Sequence, residues 1–458
     1  MAPPGFKALF AVLAALLAGA FPGPARADPV DTAAMELRVR QALSSGDDFR
    51  ARYVAQKLFA AAPGAPETFR TCLLVAERSY AARSFLTALE FYKNAVAGFD
   101  AGSAAARPDL DRALLRAAEI SLYHDGDARS AAAYFRRIDR RNIAKAELPL
   151  LRALRVRLSW SALGPDALGL ADGNVSTLAI DGDDLWVGTW SGGVARYSVS
   201  ARRSDAFAAP AYPRTIAVGQ RRIWIGGAEG LSWFGKGTGT WGSEKDFQLP
   251  AARRVQALKL AGGILYAGTL GDGLYRLGPD GWAEVNDGGL PGPFVTSIEE
   301  GADGKELYLG TMSYGLVIMD TNTGSMRSLS DIAPGFSASN VTSLLDDGQG
   351  WIWIGTYGDG LYQWTPGASS LRHFSKATGE IGDDWVLASC RTGRGLYFGT
   401  FGGGVSVFFP APGTWRRYGI TDGLGSLDVA AIAWRAPFVF FGTLGAGVSV
   451  YDEESDGP

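Results

Sequence analysis

"LYAGTLGDGLYRL" (residues 265–277) decides the fold, because the same pattern returns six more times. It reads as an aromatic strand ending in Gly-Thr, a glycine-rich turn, and a second apolar strand. The other copies are "LWVGTWSGGVARY" from Leu185, "IWIGGAEGLSWF" from Ile223, "LYLGTMSYGLVIM" from Leu307, "WIGTYGDGLYQW" from Trp353, "LYFGTFGGGVSVF" from Leu396 and "FFGTLGAGVSVY" from Phe440. Their leading aromatics are Trp186, Trp224, Tyr266, Tyr308, Trp353, Tyr397 and Phe440, spaced 38 to 45 residues apart. A period in this range marks one supersecondary unit repeated along the chain. Each unit also has an alternating strand upstream, such as "VSTLAI" (Val175 to Ile180), and a polar strand downstream, such as "LRHFS" from Leu371 or "WRRYG" from Trp415. Four short antiparallel strands per unit make a propeller blade. The turn glycines suit the positive φ of tight hairpins.

The ends of the repeat predict how the ring closes. The last unit stops near Asp452, after its third strand. Trp160 to Leu163, just ahead of the first unit, aligns with the fourth-strand stretch "WRRYGI" of unit six. Residues around 157–163 are therefore expected to complete the last blade, and closure removes the free edges on which sheets aggregate.

Composition changes near residue 158. All 13 tryptophans lie at or beyond Trp160, and 53 of the 61 glycines lie after residue 158. Glycine is costly in helices, so the earlier segment is expected to be helical and the later one turn-rich. Residues 28–157 carry 21 Lys and Arg against 16 Asp and Glu, whereas the remainder of the chain to residue 458 is net acidic. In "SYAARSFLTALEFYKNAVAGF", Phe85, Leu86, Leu89, Tyr92, Val96 and Phe99 form a stripe at helical spacing. The next helix ends near Tyr123, "DGD" turns the chain, and Ala132, Phe135 and Ile138 form a further face. Short helices joined by tight turns imply antiparallel helix pairs. The expected architecture is α+β and multidomain: an N-terminal helical repeat domain over 28–157, then a seven-bladed β-propeller over 158–458.

The helical segment resembles tetratricopeptide repeats over about three units from Asp31 to Leu158. Ala88 and Tyr92 in "ARSFLTALEFYKNAV" stand where that family keeps its small and aromatic packing residues. Helical arrays of this kind expose a concave face that binds peptides or protein segments; a plain helical cap is the other reading. The later half resembles the two-component regulator propeller repeats, over about 165–452. "LGLADGNVSTLAIDGDDLWVGTWSGGVARY" and "WRRYGITDGLGSLDVAAIA" with "FFGTLGAGVSVY" carry that pattern. The resemblance implies an extracytoplasmic ligand-sensing propeller of the sort carried by membrane histidine kinases. No immunoglobulin-like segment, transmembrane helix or kinase follows here, so a binding role without autonomous signalling is the expectation.

The first residues read as an export signal. Lys7 precedes the apolar run "ALFAVLAALLAGAF" (Ala8 to Phe21), then come Pro22, Pro24 and Ala25-Arg26-Ala27. Cleavage is expected after Ala27, leaving a periplasmic or secreted protein with no transmembrane segment. A net charge of −3 speaks against nucleic acid as partner. With 2 histidines and 2 cysteines, Cys72 and Cys390 in different halves, neither a metal site, nor a cofactor, nor a disulfide framework is expected.

A ligand face follows from the repeat. In propellers, the link into each inner strand and the hairpin after each second strand share one face. The hairpin positions are Trp190, Ala228, Leu270, Met312, Tyr357, Phe401 and Leu444, six of them large and apolar. They would serve either as a ring of anchors or as packing against the neighbouring blade, and their repetition favours packing. Asp272, Tyr314 and Asp359 join them from the hairpins, and Asn174, Arg254, Phe294, Asn340, Trp385 and Asp428 from the links. Aromatics beside carboxylates and amides suit carbohydrate or peptide recognition. No catalytic residue is assigned: His124 and His373 fall outside the channel, and the paired carboxylates within Asp181 to Asp184, at Asp346–Asp347 and at Asp383–Asp384 fall in turns. The leading expectation is a non-catalytic interaction protein of the bacterial cell envelope, binding a protein through its helices and a protein or glycan through its propeller. The alternative is a carboxylate-dependent glycoside hydrolase or polysaccharide lyase on the propeller face.

Overall fold

A computed structural model describes residues 30–100, 106–208, 210, 212–243, 254–278, 281–285 and 289–455. The expected signal peptide, 1–27, lies outside the described residues. The chain forms two compact units that divide between Leu154 and Arg155.

The first unit is helical: α1 (Thr32–Ser44), α2 (Asp48–Ala61), α3 (Pro66–Ala81), α4 (Phe85–Asp100), α5 (Arg107–Tyr123), α6 (Ala128–Phe135) and the start of α7 (Leu148–Leu158), which runs across the division. Asp31, Asp47 and Asp127 begin α1, α2 and α6 by accepting the backbone N–H of the third helical residue. Such caps satisfy donors that the first turn leaves unpaired. From α1 to α6, each helix packs on the next. The core gathers Phe69, Cys72, Val75, Ala88, Leu89, Phe91, Tyr92, Ala95 and Val96. Ala88 and Tyr92 are fully buried, as the repeat pattern implies. Leu86 corrects the expected stripe, since 62% of its surface is exposed. At 3.6 residues per turn it sits about 120° round the helix from Tyr92, off the buried face.

The second unit is a ring of seven four-stranded antiparallel sheets. Blades 1 to 6 occupy 175–207, 213–243, 255–284, 295–328, 341–374 and 386–418, each in simple up-and-down order. Blade 7 takes three strands from 429–452 and its fourth from Trp160–Leu163. Neighbouring inner strands pack against each other all the way round, including Val175–Asp181 against Val429–Arg435.

Two repeated residue types set the spacing between blades. The leading aromatics reach into the next blade: Trp353 packs on Phe398, Phe408 and Trp415, and Trp186 on Phe234 and Trp241. The glycine of Gly-Thr is needed for close approach, and not for a positive φ. A Cβ on Gly268 would lie 2.6 Å from Val295, one on Gly399 2.7 Å from Val429, and one on Gly442 2.5 Å from Val175. Each of those valines opens the next blade's inner strand, so a methyl group would push the blades apart. The positive φ belongs to the glycine four residues after the threonine, such as Gly273, Gly360 and Gly447.

The closing strand is anchored at several points. Trp160 pairs with Tyr451 across the sheet, and its ring packs on Tyr418, Phe441 and Tyr451. The Asp452 N–H donates to the Ser159 carbonyl. Just beyond, the buried Glu453 carboxylate accepts hydrogen bonds from Thr392, Tyr397 and Trp434. The chain end is thereby tied to blade 6 as well as to its own blade.

Candidate functional site

The hairpin and link residues meet on one face through a repeated backbone arrangement. After each second strand, a fully buried threonine folds its hydroxyl over the turn. Thr269, Thr311, Thr356, Thr400 and Thr443 donate to the carbonyl four residues on at 2.7–2.9 Å. Thr189 does so at 3.5 Å, and blade 2 has Gly227 in its place. The next residue then donates its N–H to the link residue just before the inner strand. The pairs are Trp190 to Asn174, Ala228 to Tyr212, Leu270 to Arg254, Met312 to Phe294, Tyr357 to Asn340, Phe401 to Trp385 and Leu444 to Asp428, at 2.9–3.3 Å. The hairpin's positive-φ glycine reaches onward to the following link: Gly273 to Pro293, Gly315 to Ser339, Gly360 to Asp384, Gly404 to Leu427 and Gly447 to Gly173. The last of these joins blade 7 to blade 1. Links and hairpins thus form one hydrogen-bonded rim.

On this rim the apolar side chains pack sideways and still face solvent. Tyr357 stacks on Trp385 of the next blade at 4.1 Å between ring centres, and Trp385 lies 5.3 Å from Phe401. Tyr357 is 50% exposed and Phe401 40%. Trp190 is 45% exposed, with the Arg214 guanidinium 3.6 Å above its ring. Phe294, Met312 and Tyr314 are exposed as well. Leu270 bridges to Phe294, and the Tyr314 ring covers Gly292.

The polar candidates have more local tasks. Asn174 is held by Asp172, which also accepts from Ser191. The Asn340 side-chain oxygen accepts the Ser313 N–H and so joins blades 4 and 5. The Asp359 carboxylate is engaged by Tyr362 at 2.6 Å and by Ser337, and its carbonyl lies 2.7 Å from His373. Asp428 contributes its carbonyl to the rim; Arg254 and Asp272 are exposed beside it. The paired acidic residues are turn builders. Asp347 accepts from Gln349, Trp351 and Trp353, Asp383 from Trp385 and Lys376, and Asp183 from Ser198, Ser200 and Arg435.

Inside the rim lies a cavity of about 280 Å³, lined by the start of every inner strand. Each inner strand carries a bulge at its second residue: Ser176, Arg214, Gln256, Thr296, Thr342, Leu387 and Ala430. All seven line the cavity. A bulge re-aims a side chain out of the pleat, which suits a channel-facing position. Ser176 donates to the Pro213 carbonyl at 2.6 Å, Thr296 to the Val341 carbonyl at 2.5 Å, and Thr342 to the Val386 carbonyl. No carboxylate lines this cavity among the described residues. Arg214 is the residue that the sequence reading missed. Its signal was a departure from the repeat: at the same place in the other six blades the residue is uncharged.

The helical unit has a cleft of its own, about 310 Å³, lined by Phe49, Arg52, Tyr53, Gln56, Thr87, Glu90 and Phe91. Phe49 and Tyr53 are exposed there.

Fold and site define a seven-bladed propeller with a helical repeat segment ahead of it and a rimmed channel. The family model described as Two component regulator propeller matches residues 335–358, which run from the link into blade 5 to its Tyr357–Gly358 hairpin. Two solved structures from B. thetaiotaomicron share the fold. One is the extracellular domain of a hybrid two component system, 18% identical with a TM-score of 0.54, covering 64% of this chain and 42% of that chain. The other is the extracellular domain of a one component system, 20% identical with a TM-score of 0.53, covering 64% of this chain and 39% of that one. This chain therefore spans about two fifths of their length. No curated protein matches the sequence.

Proposed function

We propose that this chain is an exported, non-catalytic recognition protein whose propeller rim binds a ligand. The helical cleft would hold a segment of a cell-envelope protein. The observation that carries the reading is the rim. Exposed aromatic and apolar side chains stand on a hydrogen-bonded frame around a channel mouth lined by hydroxyls, an amide and a guanidinium. Rigid aromatics with polar groups beside them suit a saccharide or peptide partner. The neighbours' descriptions as extracellular domains of a two component and a one component system support a sensing role and an extracytoplasmic site for this chain. No described helix is long and apolar enough to cross a membrane.

The test is capture of envelope glycans and envelope proteins by residues 28–458, wild type beside a Tyr357→Ala/Trp385→Ala variant. A ligand held by the wild type and at least about tenfold weaker on the variant is the expected result, since stacked aromatics dominate such contacts. Equal capture by both proteins would remove the rim from the site.

A further inference from the structure

We propose that Arg214 is the anion-binding centre of the channel mouth, and that the ligand unit it holds is a saccharide bearing a carboxylate. This rests on the recognition role proposed for the rim and names the chemistry it would select.

Arg214 occupies the bulge of blade 2, so its side chain joins the cavity lining, while its guanidinium lies on the Trp190 ring. That contact covers one side of the guanidinium. A ligand would have to meet the in-plane edge, where the N–H donors lie. Nη1 is buried and has no hydrogen-bond partner. No carboxylate pairs with this guanidinium among the described residues, whereas Arg196 and Arg435, elsewhere in the propeller, each reach an aspartate at 2.6 Å. Burial alone holds Arg214 below the ordinary guanidinium value, and an arginine remains a cation at neutral pH. A buried donor without an acceptor is costly, and a bound oxyanion would remove that cost.

The rest of the lining selects what carries the anion. Ser176, Thr296 and Thr342 spend their hydroxyl hydrogens on carbonyls of the following blade. Their oxygens are left as acceptors, and Gln256 adds an amide. Acceptors beside one cationic fork complement a ligand with several hydroxyl donors and one carboxylate. The planar fork matches a carboxylate in bidentate fashion. At about 280 Å³ the cavity is at the small end for a ligand pocket, which suits one sugar ring, with neighbouring rings stacking on the rim aromatics.

Isothermal titration calorimetry tests this on the whole chain. The probes are galacturonate, glucuronate and mannuronate, as monomers and trimers, beside the matching neutral sugars. At least one acidic trimer should bind, at least about tenfold tighter than its neutral counterpart. Arg214→Gln should weaken it by about ten- to a hundredfold, the range expected for loss of a charged hydrogen bond. Arg214→Lys, which keeps charge and bulk but not the fork, should lie between, and both variants should melt with the wild type. Equal affinity for neutral and acidic sugars, unchanged binding by Arg214→Gln, or no binding of any acidic probe overturns the assignment. A neutral glycan lost with Tyr357→Ala/Trp385→Ala but kept by Arg214→Gln would leave the rim role standing and remove only the role of Arg214.

Discussion

Thr356 shows how much a single buried hydroxyl carries. It donates to the Gly360 carbonyl at 2.7 Å and accepts the Asp359 N–H at 3.1 Å. Thr356→Val keeps the shape, leaves the Asp359 N–H without its acceptor, and removes one of the two hydrogen bonds to the Gly360 carbonyl, which keeps the Thr356 N–H. It should cost about 1–3 kcal/mol of propeller stability, read from chemical denaturation. A stability loss within error would remove the threonine as the turn's keystone. The Gly-Thr motif was plain in the sequence, but its two residues do different jobs that only the neighbouring blade reveals. Gly399 gives way to Val429, and Thr400 closes the hairpin. Exposure at Trp190, Tyr357 and Phe401 was likewise hidden, because repetition at one position is compatible with packing and with display alike. The structure shows both at once.

Among the elements, α1 and α3 are joined by a partly buried ion pair. The Arg70 guanidinium, with help from Arg40, holds the Glu36 carboxyl below its ordinary value against the opposing effect of burial. A lowered carboxyl pKa gives stability that is complete above the unfolded value and is lost as pH falls through the folded one. Arg70 is nearly half exposed, so solvent screening limits the gain. Glu36→Gln should therefore cost the helical unit about 1 kcal/mol at neutral pH, and the difference from wild type should shrink as pH falls below the ordinary glutamate value and vanish once it is below the lowered folded one. A difference that persists in acid would place the effect in packing instead. In the propeller the critical element is the strand Trp160–Leu163. Trp160→Ala removes a side chain packed on three aromatics and should cost about 3–5 kcal/mol, seen as a lowered melting temperature of the propeller transition. An unchanged melt would show that this strand is not what holds blade 7.

For the whole molecule, the ring is the unit that brings distant residues together. Each blade's hairpin is bonded to its own link and, in most blades, to the next one, so the seven bulge residues are brought to one mouth from positions spread over 176–430. Six of them are uncharged and one is arginine, which makes the channel electrostatically one-sided. A single departure from the repeat thus marks a place on the ring, much as an odd tooth marks a wheel. Glu453 has the corresponding structural part at the chain end, where it gathers Thr392, Tyr397 and Trp434 from outside its own strand.

The sequence by itself determined the number of blades, the order of strands within them, the helical character of the first unit and the strand that closes the ring. These follow from period, alternation and glycine usage, which are local properties of a chain. It also named most of the rim, because every copy of the repeat carries its hairpin and link at the same offset. The tertiary structure decided which of those side chains stay exposed, which carboxylates are consumed in turns, and that Arg214 enters the channel. Each of these depends on a neighbouring blade that is far away in sequence. A charged residue within a strand points to either face by alternation alone, and only the bulge at the blade's inner edge sends this one to the mouth.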